Sequence, residues 1–205
     1  MQTQLLSADS PNAINHAMDV LTHGGVVAFP TDTVYGLGAL AFDEEGIDRL
    51  YFIKGRHHAK AIAVLISQFD ELHQLTPTPS KEMFRLASQF WPGPLTMVVP
   101  RSATVPELLS STLTIGVRIP DHPVALQLLA VSGPMGVTSA NLSGQENTTT
   151  AAEVMHQLDG RIHLVLDGGT TPGGIPSTVV DLTTPQPSIL RAGPVSEQEL
   201  QLHVA

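Results

Sequence analysis

Short apolar runs alternate with helix-length amphipathic segments along the chain, and this alternation restricts the fold more than any other feature. Four runs have the length and composition of buried strands: VVAF (26–29), AIAVLI (61–66), TMVV (96–99) and TIGVRIP (114–120). Apolar residues recur at helical spacing over 10–23 and 79–90. Interleaved helices and strands of this kind are typical of an α/β sandwich rather than of separate helical and sheet blocks.

Polar residues mark where the predicted helices should begin. The expected N-terminal caps are Ser10 (followed by Pro11), Asp43 and Asp121, and the expected capping boxes pair Thr150 with Glu153 and Ser196 with Glu199. The segment PTDTVYGLG (30–38) is expected to be a polar loop after the first predicted strand.

The last three predicted strands indicate how the sheet is built. They lie in IHLVLDGG (162–169), STVVDL (177–182) and SILRAG (188–193), with no helix between them. Plain βαβ winding therefore does not fit, and the sequence predicts a mixed sheet flanked by helices. No repeat and no long linker divides the chain, so residues 1–205 are expected to form one domain.

The charge balance limits the classes of ligand. Ten Lys and Arg residues stand against nineteen Asp and Glu residues, for a formal net charge of −9. Broad polyanion binding depends on many cations and is disfavoured, whereas a small anion in a local pocket is not. The chain has no cysteine, and its apolar runs are far below the roughly 20 residues of a membrane span. We expect a cytoplasmic protein without a membrane partner and without a signal peptide.

The segment KGRHHAK (54–60) holds three of the ten cations and two of the nine histidines. Lys54 and Arg56, separated by a glycine, could converge on one anion, although a solvated turn would also explain them. Adjacent His57 and His58 do not have the spacing of a metal site. No metal site built from protein ligands alone is predicted.

Two loops after predicted strands carry hydroxyl and amide groups. TSANLSG (138–144) and PTDTVYGLG could bind a carboxylate, a ribose or a phosphate, because α/β proteins hold ligands at strand ends. Ordinary turns explain both segments as well. Arg118 lies within a strand pattern, where it must either form an ion pair or point into a ligand cleft, and Arg191 poses the same alternatives. DGGTTPGG (167–174) lacks the spacing of a P-loop.

The ordered segments PTDTVYGLG, KGR, WPGPLT, GVRIPDHP, TSANLSG, STVVDL and ILRAG closely resemble those of the YrdC/TsaC family of threonylcarbamoyl-AMP synthases. The resemblance covers about residues 10–197. Its hallmark is K-x-R followed by S-x-N, here Lys54, Arg56, Ser139 and Asn141. It implies a twisted mixed sheet flanked by helices, with a concave, positively lined cleft.

The resemblance also implies a reaction and its participants. Threonine, bicarbonate or CO2, and ATP with Mg²⁺ would give threonylcarbamoyl-AMP and pyrophosphate. A partner transferase would then modify the adenosine beside the tRNA anticodon. The implied catalytic residues are the four of the hallmark. The implied threonine-binding residues are Thr31, Thr33, Arg118, Ser139 and Ser177. The implied ATP-binding residues are Lys54, Arg56, Lys60, Thr114, Asn141, Thr149 and Arg191.

The chain departs from the family pattern around the K-x-R segment and again before STVVDL, which follows Ile175-Pro176 rather than a polar residue. His57 stands where proline is usual, Lys60 is followed by Ala61-Ile62 instead of Pro-Leu, and Leu65 stands where longer relatives often have histidine. These departures leave a second hypothesis open, an RNA-binding or ribosome-maturation module of the same fold with a weak tRNA or double-stranded RNA contact. A third is a carbamoyl-adenylate domain like those of hydrogenase-maturation factors.

Overall fold

Ten strands of the described chain form one mixed sheet with helices on both faces. The computed structural model describes residues 2–184 and 186–204. The strands are β1 (Gln4–Ser7), β2 (Val27–Phe29), β3 (Gly36–Leu40), β4 (Ala63–Leu65), β5 (Leu95–Pro100), β6 (Thr114–Arg118), β7 (Met135–Ser139), β8 (Leu164–Asp167), β9 (Thr178–Asp181) and β10 (Ser188–Arg191). The helices are α1 (Ala13–Thr22), α2 (Glu44–Lys54), α3 (Lys81–Phe90), α4 (Pro123–Ser132), α5 (Ala151–Leu158) and α6 (Glu197–Val204), with a 3₁₀ helix at Phe69–Gln74.

The strand order confirms the predicted mixed sheet. It runs β1-β8-β2-β3-β7-β4-β6-β5-β9-β10. The pairs β1–β8, β2–β8, β4–β6 and β5–β9 are parallel, and the other five pairs are antiparallel. None of the helices in the described ranges is long and apolar enough to cross a membrane.

The predicted helix caps are confirmed at three positions. Asp43 Oδ1 accepts a hydrogen bond from Glu45 N at the start of α2. Thr150 and Glu153 form the expected capping box at α5. Ser196 Oγ likewise accepts from Glu199 N at 3.2 Å, while the Glu199 carboxylate accepts from Ser196 N at 2.8 Å. These bonds satisfy backbone N–H groups that the first turn of a helix leaves unpaired.

The predicted caps Ser10 and Asp121 are wrong. The first helix begins only at Ala13, after Asn12, and Ser10 instead closes a turn through its carbonyl. The fourth helix begins at Pro123, whose missing N–H suits the first helical position, so the cap falls on His122.

Three further parts of the sequence were assigned incorrectly or missed. The predicted loop at 30–38 ends early, because Gly36 already pairs with Phe29 and Ser139 in the sheet. The edge strand β1 and the 3₁₀ helix were not predicted. The residues of β1 are mostly exposed, so its sequence carries little of the apolar signal on which strand prediction depends.

The sheet packs differently on its two faces. One face forms a large core with α2, α3 and α5, and the other forms a smaller core with α1 and α4. The smaller core includes buried residues of β2, β4, β7 and β8 but none of β5, β6, β9 or β10 among those described. Beyond α1 and α4, this second face is therefore open along the half of the sheet formed by strands β6, β5, β9 and β10.

Candidate active site

A cavity of about 400 Å³ lies on this open face, within the size range of small-molecule sites. Directly paired residues of neighbouring strands point to the same face, and five such pairs line the cavity: Gly36–Ser139, Ala63–Val137, Leu65–Arg118, Val98–Gly116 and Thr96–Val179. Small residues make the floor concave. A Cβ added at Gly116 would lie 3.1 Å from Thr96 Cγ2 and 3.5 Å from Ala63 Cβ.

Three arginines line the cavity: Arg56, Arg118 and Arg191. No Asp or Glu is among its described lining residues. Burial lowers the pKa of all three guanidinium groups. The charge of Arg56 further lowers the pKa of Arg191. For Arg118, Asp32 partly offsets the lowering of the pKa, and the charge of Arg191 adds to it. Since the charge of Arg191 is unfavourable to those of both Arg56 and Arg118, an anion in the cavity would be stabilised.

Arg118 forms an ion pair and lines the cavity, so the two alternatives raised by the sequence both hold. Its Nε donates to Gly93 O at 2.9 Å and its Nη1 donates to Thr33 Oγ1 at 3.1 Å. Its Nη2 donates to Asp32 Oδ1, which also accepts from Asp121 N. These bonds hold the guanidinium plane in one orientation and leave two of its five hydrogens for a ligand.

Arg56 follows the end of α2. Gly55 adopts a left-handed conformation, φ 59°, which favours glycine and ends the helix. Arg56 Nη2 donates to Ala61 O at 2.8 Å, and no carboxylate pairs with Arg56 in the described part of the chain.

A β-bulge brings Arg191 to the cavity. Ile189 pairs with Val180, whereas Arg191 pairs with the adjacent Val179 because the register shifts between them. The bulge turns Arg191 to the face opposite that of Ile189. Arg191 Nη2 then donates to Ser177 O at 2.8 Å and to Ser177 Oγ at 3.0 Å.

The hallmark residues Lys54, Ser139 and Asn141 converge in one cluster at the edge of the cavity. Lys54 Nζ donates to Ser139 O (2.5 Å), Asn141 O (2.6 Å) and Asn141 Oδ1 (3.1 Å). Burial, with a smaller contribution from the charge of Arg56, lowers the pKa of Lys54 to about 7. In the protonated state the three ammonium hydrogens are all used within the protein, and Lys54 fixes the Ser139–Asn141 loop.

The structure brings most of the predicted site residues together. Those that line the cavity are Thr31, Thr33, Arg56, Arg118, Ser139, Ser177 and Arg191. Lys54 and Asn141 lie directly behind Ser139. Outside the cavity lining are Lys60, which is exposed, Thr114, whose hydroxyl contacts Thr112, and Thr149, whose hydroxyl donates to Glu153. The ligand-binding roles of all these residues stay predictions.

Sequence reasoning did not single out three polar residues at the site. Thr96 Oγ1 lies 2.8 Å from Ser177 Oγ on the cavity floor, Asn147 lines the cavity, and Asp32 holds Arg118. Thr96 is a polar residue within the apolar strand β5, and this contrast could have identified it. Asp32 stands between Thr31 and Thr33, and only the fold shows that its carboxylate turns towards Arg118.

The fold and the cavity together define an α/β ligand-binding protein whose site suits an anionic molecule. The sequence model of the Sua5/YciO/YrdC family, described as "Telomere recombination", matches residues 19–193. This chain belongs to that family.

Individual relatives agree with this assignment. A threonylcarbamoyl-AMP synthase from Pyrococcus abyssi is 41% identical over 190 residues, which cover 92% of this chain and 56% of the relative. The structure of P. abyssi Sua5 complexed with L-threonine superposes with a TM-score of 0.96 at 38% identity, covering 98% of this chain and 61% of that one. Escherichia coli YciO superposes with a TM-score of 0.86 at 30% identity, covering 97% and 99%.

The lengths of these relatives differ. The chain spans a little over half of the P. abyssi protein and nearly the whole of YciO. The shared part includes the ten-stranded sheet and the cavity.

Proposed function

We propose that this chain carries threonylcarbamoyl-AMP synthase activity. The nitrogen of L-threonine would form a bond to the carbon of bicarbonate or CO2, with loss of water in the case of bicarbonate. An oxygen of the resulting carboxylate would attack the α-phosphorus of ATP, and pyrophosphate would leave. The main support is a cavity with three arginines and no acidic residue in its described lining, in a chain similar to proteins of that name.

The roles of the cations follow from their positions. Arg118, with two free hydrogens held in a fixed plane, would bind the threonine carboxylate, because a guanidinium matches a carboxylate in shape and charge. Arg56 and Arg191 carry no partner carboxylate in the described chain and would stabilise the charge on the phosphates as pyrophosphate leaves. Exposed Lys60 would assist at the cavity mouth, and Ser177 would present its hydroxyl to threonine.

Magnesium is proposed to enter with ATP. The described residues contain no group of three or more His, Cys, Asp or Glu side chains that could hold a metal ion. Mg²⁺ is commonly held by substrate phosphates and water, and the hydroxyls of the cavity are compatible with that arrangement. Bound in this way, the ion would neutralise part of the phosphate charge.

The product of such a reaction is a reactive mixed anhydride, which must be passed to an acceptor. We propose that a threonylcarbamoyl transferase complex consumes it to modify tRNA. A cytoplasmic location is part of the same proposal.

A product assay tests the proposal. Purified protein is incubated with ATP, magnesium, L-threonine and bicarbonate, and mass spectrometry is used to detect threonylcarbamoyl-AMP together with pyrophosphate. Product that requires both threonine and bicarbonate is expected. A protein that binds ATP but forms no product would contradict the proposal.

A further inference from the structure

Two carbonyl oxygens of the following loop hold the guanidinium of Arg56. Arg56 Nε donates to Lys60 O at 3.2 Å, and Arg56 Nη2 donates to Ala61 O at 2.8 Å. These bonds use two of the five guanidinium hydrogens and leave three for a ligand. The direction in which the three remaining hydrogens point therefore depends on where the two carbonyl oxygens lie.

The Ala61 carbonyl is held by a neighbouring loop. It belongs to the same planar peptide group as the N–H of Ile62, and that N–H donates to Leu109 O at 2.8 Å. The side chains of Ile62 and Leu109 are both buried in the larger core. Core packing thus fixes one of the two oxygens that accept from Arg56.

The Lys60 carbonyl is held by the hydroxyl of Tyr51. Tyr51 Oη lies 3.1 Å from Lys60 O and 2.9 Å from Leu108 O. Carbonyl oxygens can only accept, so the single phenolic hydrogen is shared between them. The Tyr51 side chain is buried on helix α2. Lys60 O therefore accepts one hydrogen bond from Arg56 and one from a side chain that is fixed in the core.

His58 joins the same loop to Tyr51 at a second point. The rings of His58 and Tyr51 stack with their centroids 4.3 Å apart and their planes inclined by 28°. His58 Nε2 also lies 3.8 Å from Asp48 Oδ1 on α2. The side chain of His58 is more than half exposed, so this contact lies at the surface. The proposed function gives His58 no role.

We propose that Tyr51 is a positioning residue for Arg56 and that the stacked His58 supports it, an inference that rests on the function proposed above. Tyr51 holds the Lys60 carbonyl, and the carbonyl holds Arg56 so that its remaining hydrogens face the phosphates of ATP. Neither Tyr51 nor His58 is among the described residues that line the cavity, so neither touches the ligand. Without the phenolic hydrogen, Lys60 O loses a contact with the core and Arg56 loses its fixed orientation.

A double-mutant cycle tests the coupling between Tyr51 and Arg56. Tyr51→Phe removes only the hydroxyl, and it is made in the wild type and in Arg56→Ala. ATP is titrated into each protein by calorimetry, and urea denaturation measures its stability. Thr3→Val is the matched control, because the buried Thr3 hydroxyl also bonds to two backbone groups and lies outside the described cavity lining.

We expect Tyr51→Phe to weaken ATP binding about 3- to 10-fold in the wild type, the range for one lost hydrogen bond. In Arg56→Ala the same change should alter ATP affinity less than about twofold, because the group that Tyr51 positions is absent. Thr3→Val should leave ATP affinity unchanged in both backgrounds.

His58→Ala is a second variant that alters an exposed side chain and is expected to fold normally. The loss of the ring stack should weaken ATP binding about 2- to 10-fold when Arg56 is present. In Arg56→Ala it should have no effect.

A loss of ATP affinity that is equal with and without Arg56 would overturn the assignment, because Tyr51 would then act through the fold as a whole. Unchanged ATP affinity in Tyr51→Phe would overturn it too. If Tyr51→Phe did not fold, the cycle with His58→Ala would decide by the same two criteria. A wild type that forms product while the coupling is absent would leave the proposed function standing. A wild type that binds ATP without forming product would contradict that function, and the ATP titrations would still test Tyr51.

Discussion

At the scale of single residues, the three arginines of the site differ in whether a carboxylate pairs with them. Arg118 has a carboxylate partner, Asp32, and its orientation is fixed. Arg56 and Arg191 instead donate to backbone oxygens, of Ala61 and Ser177 respectively. A guanidinium bonded to neutral carbonyls keeps its full charge for a ligand. This difference supports the proposed roles, in which Arg118 would orient the substrate and Arg56 and Arg191 would neutralise phosphate charge.

The Arg56→Ala variant should lose nucleotide affinity without losing the fold. A charge-assisted hydrogen bond contributes about 1.5–3 kcal/mol, so ATP binding should weaken by about 10- to 100-fold. Calorimetric titration of ATP measures the effect. Arg161→Ala is the matched control, because Arg161 is exposed after α5 and lies outside the cavity lining. Equal affinities for ATP in the two variants would show that Arg56 does not contact the phosphates.

Lys54 should make stability depend on pH in a defined direction. Burial lowers its pKa from 10.5 to about 7 in the folded protein. Between these values the unfolded chain holds a proton that the folded protein has released, so the free energy of unfolding rises with pH. Relative to Lys54→Met, the wild type should therefore gain up to about 1.4 kcal/mol per pH unit across this window.

Urea denaturation of both proteins at about pH 6, 8 and 9.5 measures this difference. If the difference stays constant with pH, the three hydrogen bonds to Ser139 and Asn141 keep the ammonium protonated, and the lowered pKa is excluded.

The sequence allowed the residue types of the site to be predicted better than their contacts. Arg118 was expected either in an ion pair or in a cleft, and its contacts with Asp32 and Thr33 serve both roles. The position of Arg191 depends on a bulge beside Ile189, and regular alternation would place both residues on one face. Such a register shift is set by the packing of β10 against β9 and leaves no clear pattern in four residues.

At the scale of elements, the floor of the cavity is open because two small residues lie side by side on one face of β4 and β6. Ala63 and Gly116 form the floor, whereas their neighbours Val64 and Val117 are fully buried in the larger core. Because side chains alternate along a strand, one residue lines the cavity and the next packs in the core.

Ala63→Met should fill the floor of the cavity and abolish ligand binding with little loss of stability. The longer side chain would extend into open space, since Ala63 lines the cavity and is partly exposed. Its neighbour Val64 is the matched contrast. Val64→Ala removes buried methyl groups and should cost about 1.5–3 kcal/mol of stability while ligand binding persists. ATP titration and urea denaturation of both variants distinguish the two faces, and a large stability loss in Ala63→Met would contradict the assignment.

The elements themselves could be predicted where local chemistry determines them. The capping boxes at α5 and α6 and the cap at α2 are short-range patterns, and the structure has them as expected. The order of strands in the sheet arises from packing between distant segments. The placement of β7 between β3 and β4, which brings Ser139 opposite Gly36, therefore had no local signal.

At the scale of the whole molecule, a chain with a net charge of −9 contains a cavity that is lined by three arginines. A long polyanion must approach much of this acidic surface, whereas a nucleotide needs only the cavity. The same fold could still serve as an RNA-binding module if the cavity gripped one stretch of backbone. Salt dependence separates the two possibilities, because each phosphate neutralised by a cation lowers log K by about 0.9 per unit of log salt concentration on a duplex.

We expect duplex RNA and a tRNA anticodon stem-loop to show no binding at physiological salt, while ATP binds under the same conditions. At low salt, any residual RNA binding should have a slope of no more than about three, the number of arginines in the cavity. Fluorescence anisotropy with labelled RNA, repeated with ATP as competitor, measures both quantities. Binding at physiological salt with a steeper slope, undisturbed by ATP, would require a cationic surface outside the cavity. That outcome would favour the RNA-binding module over the synthase.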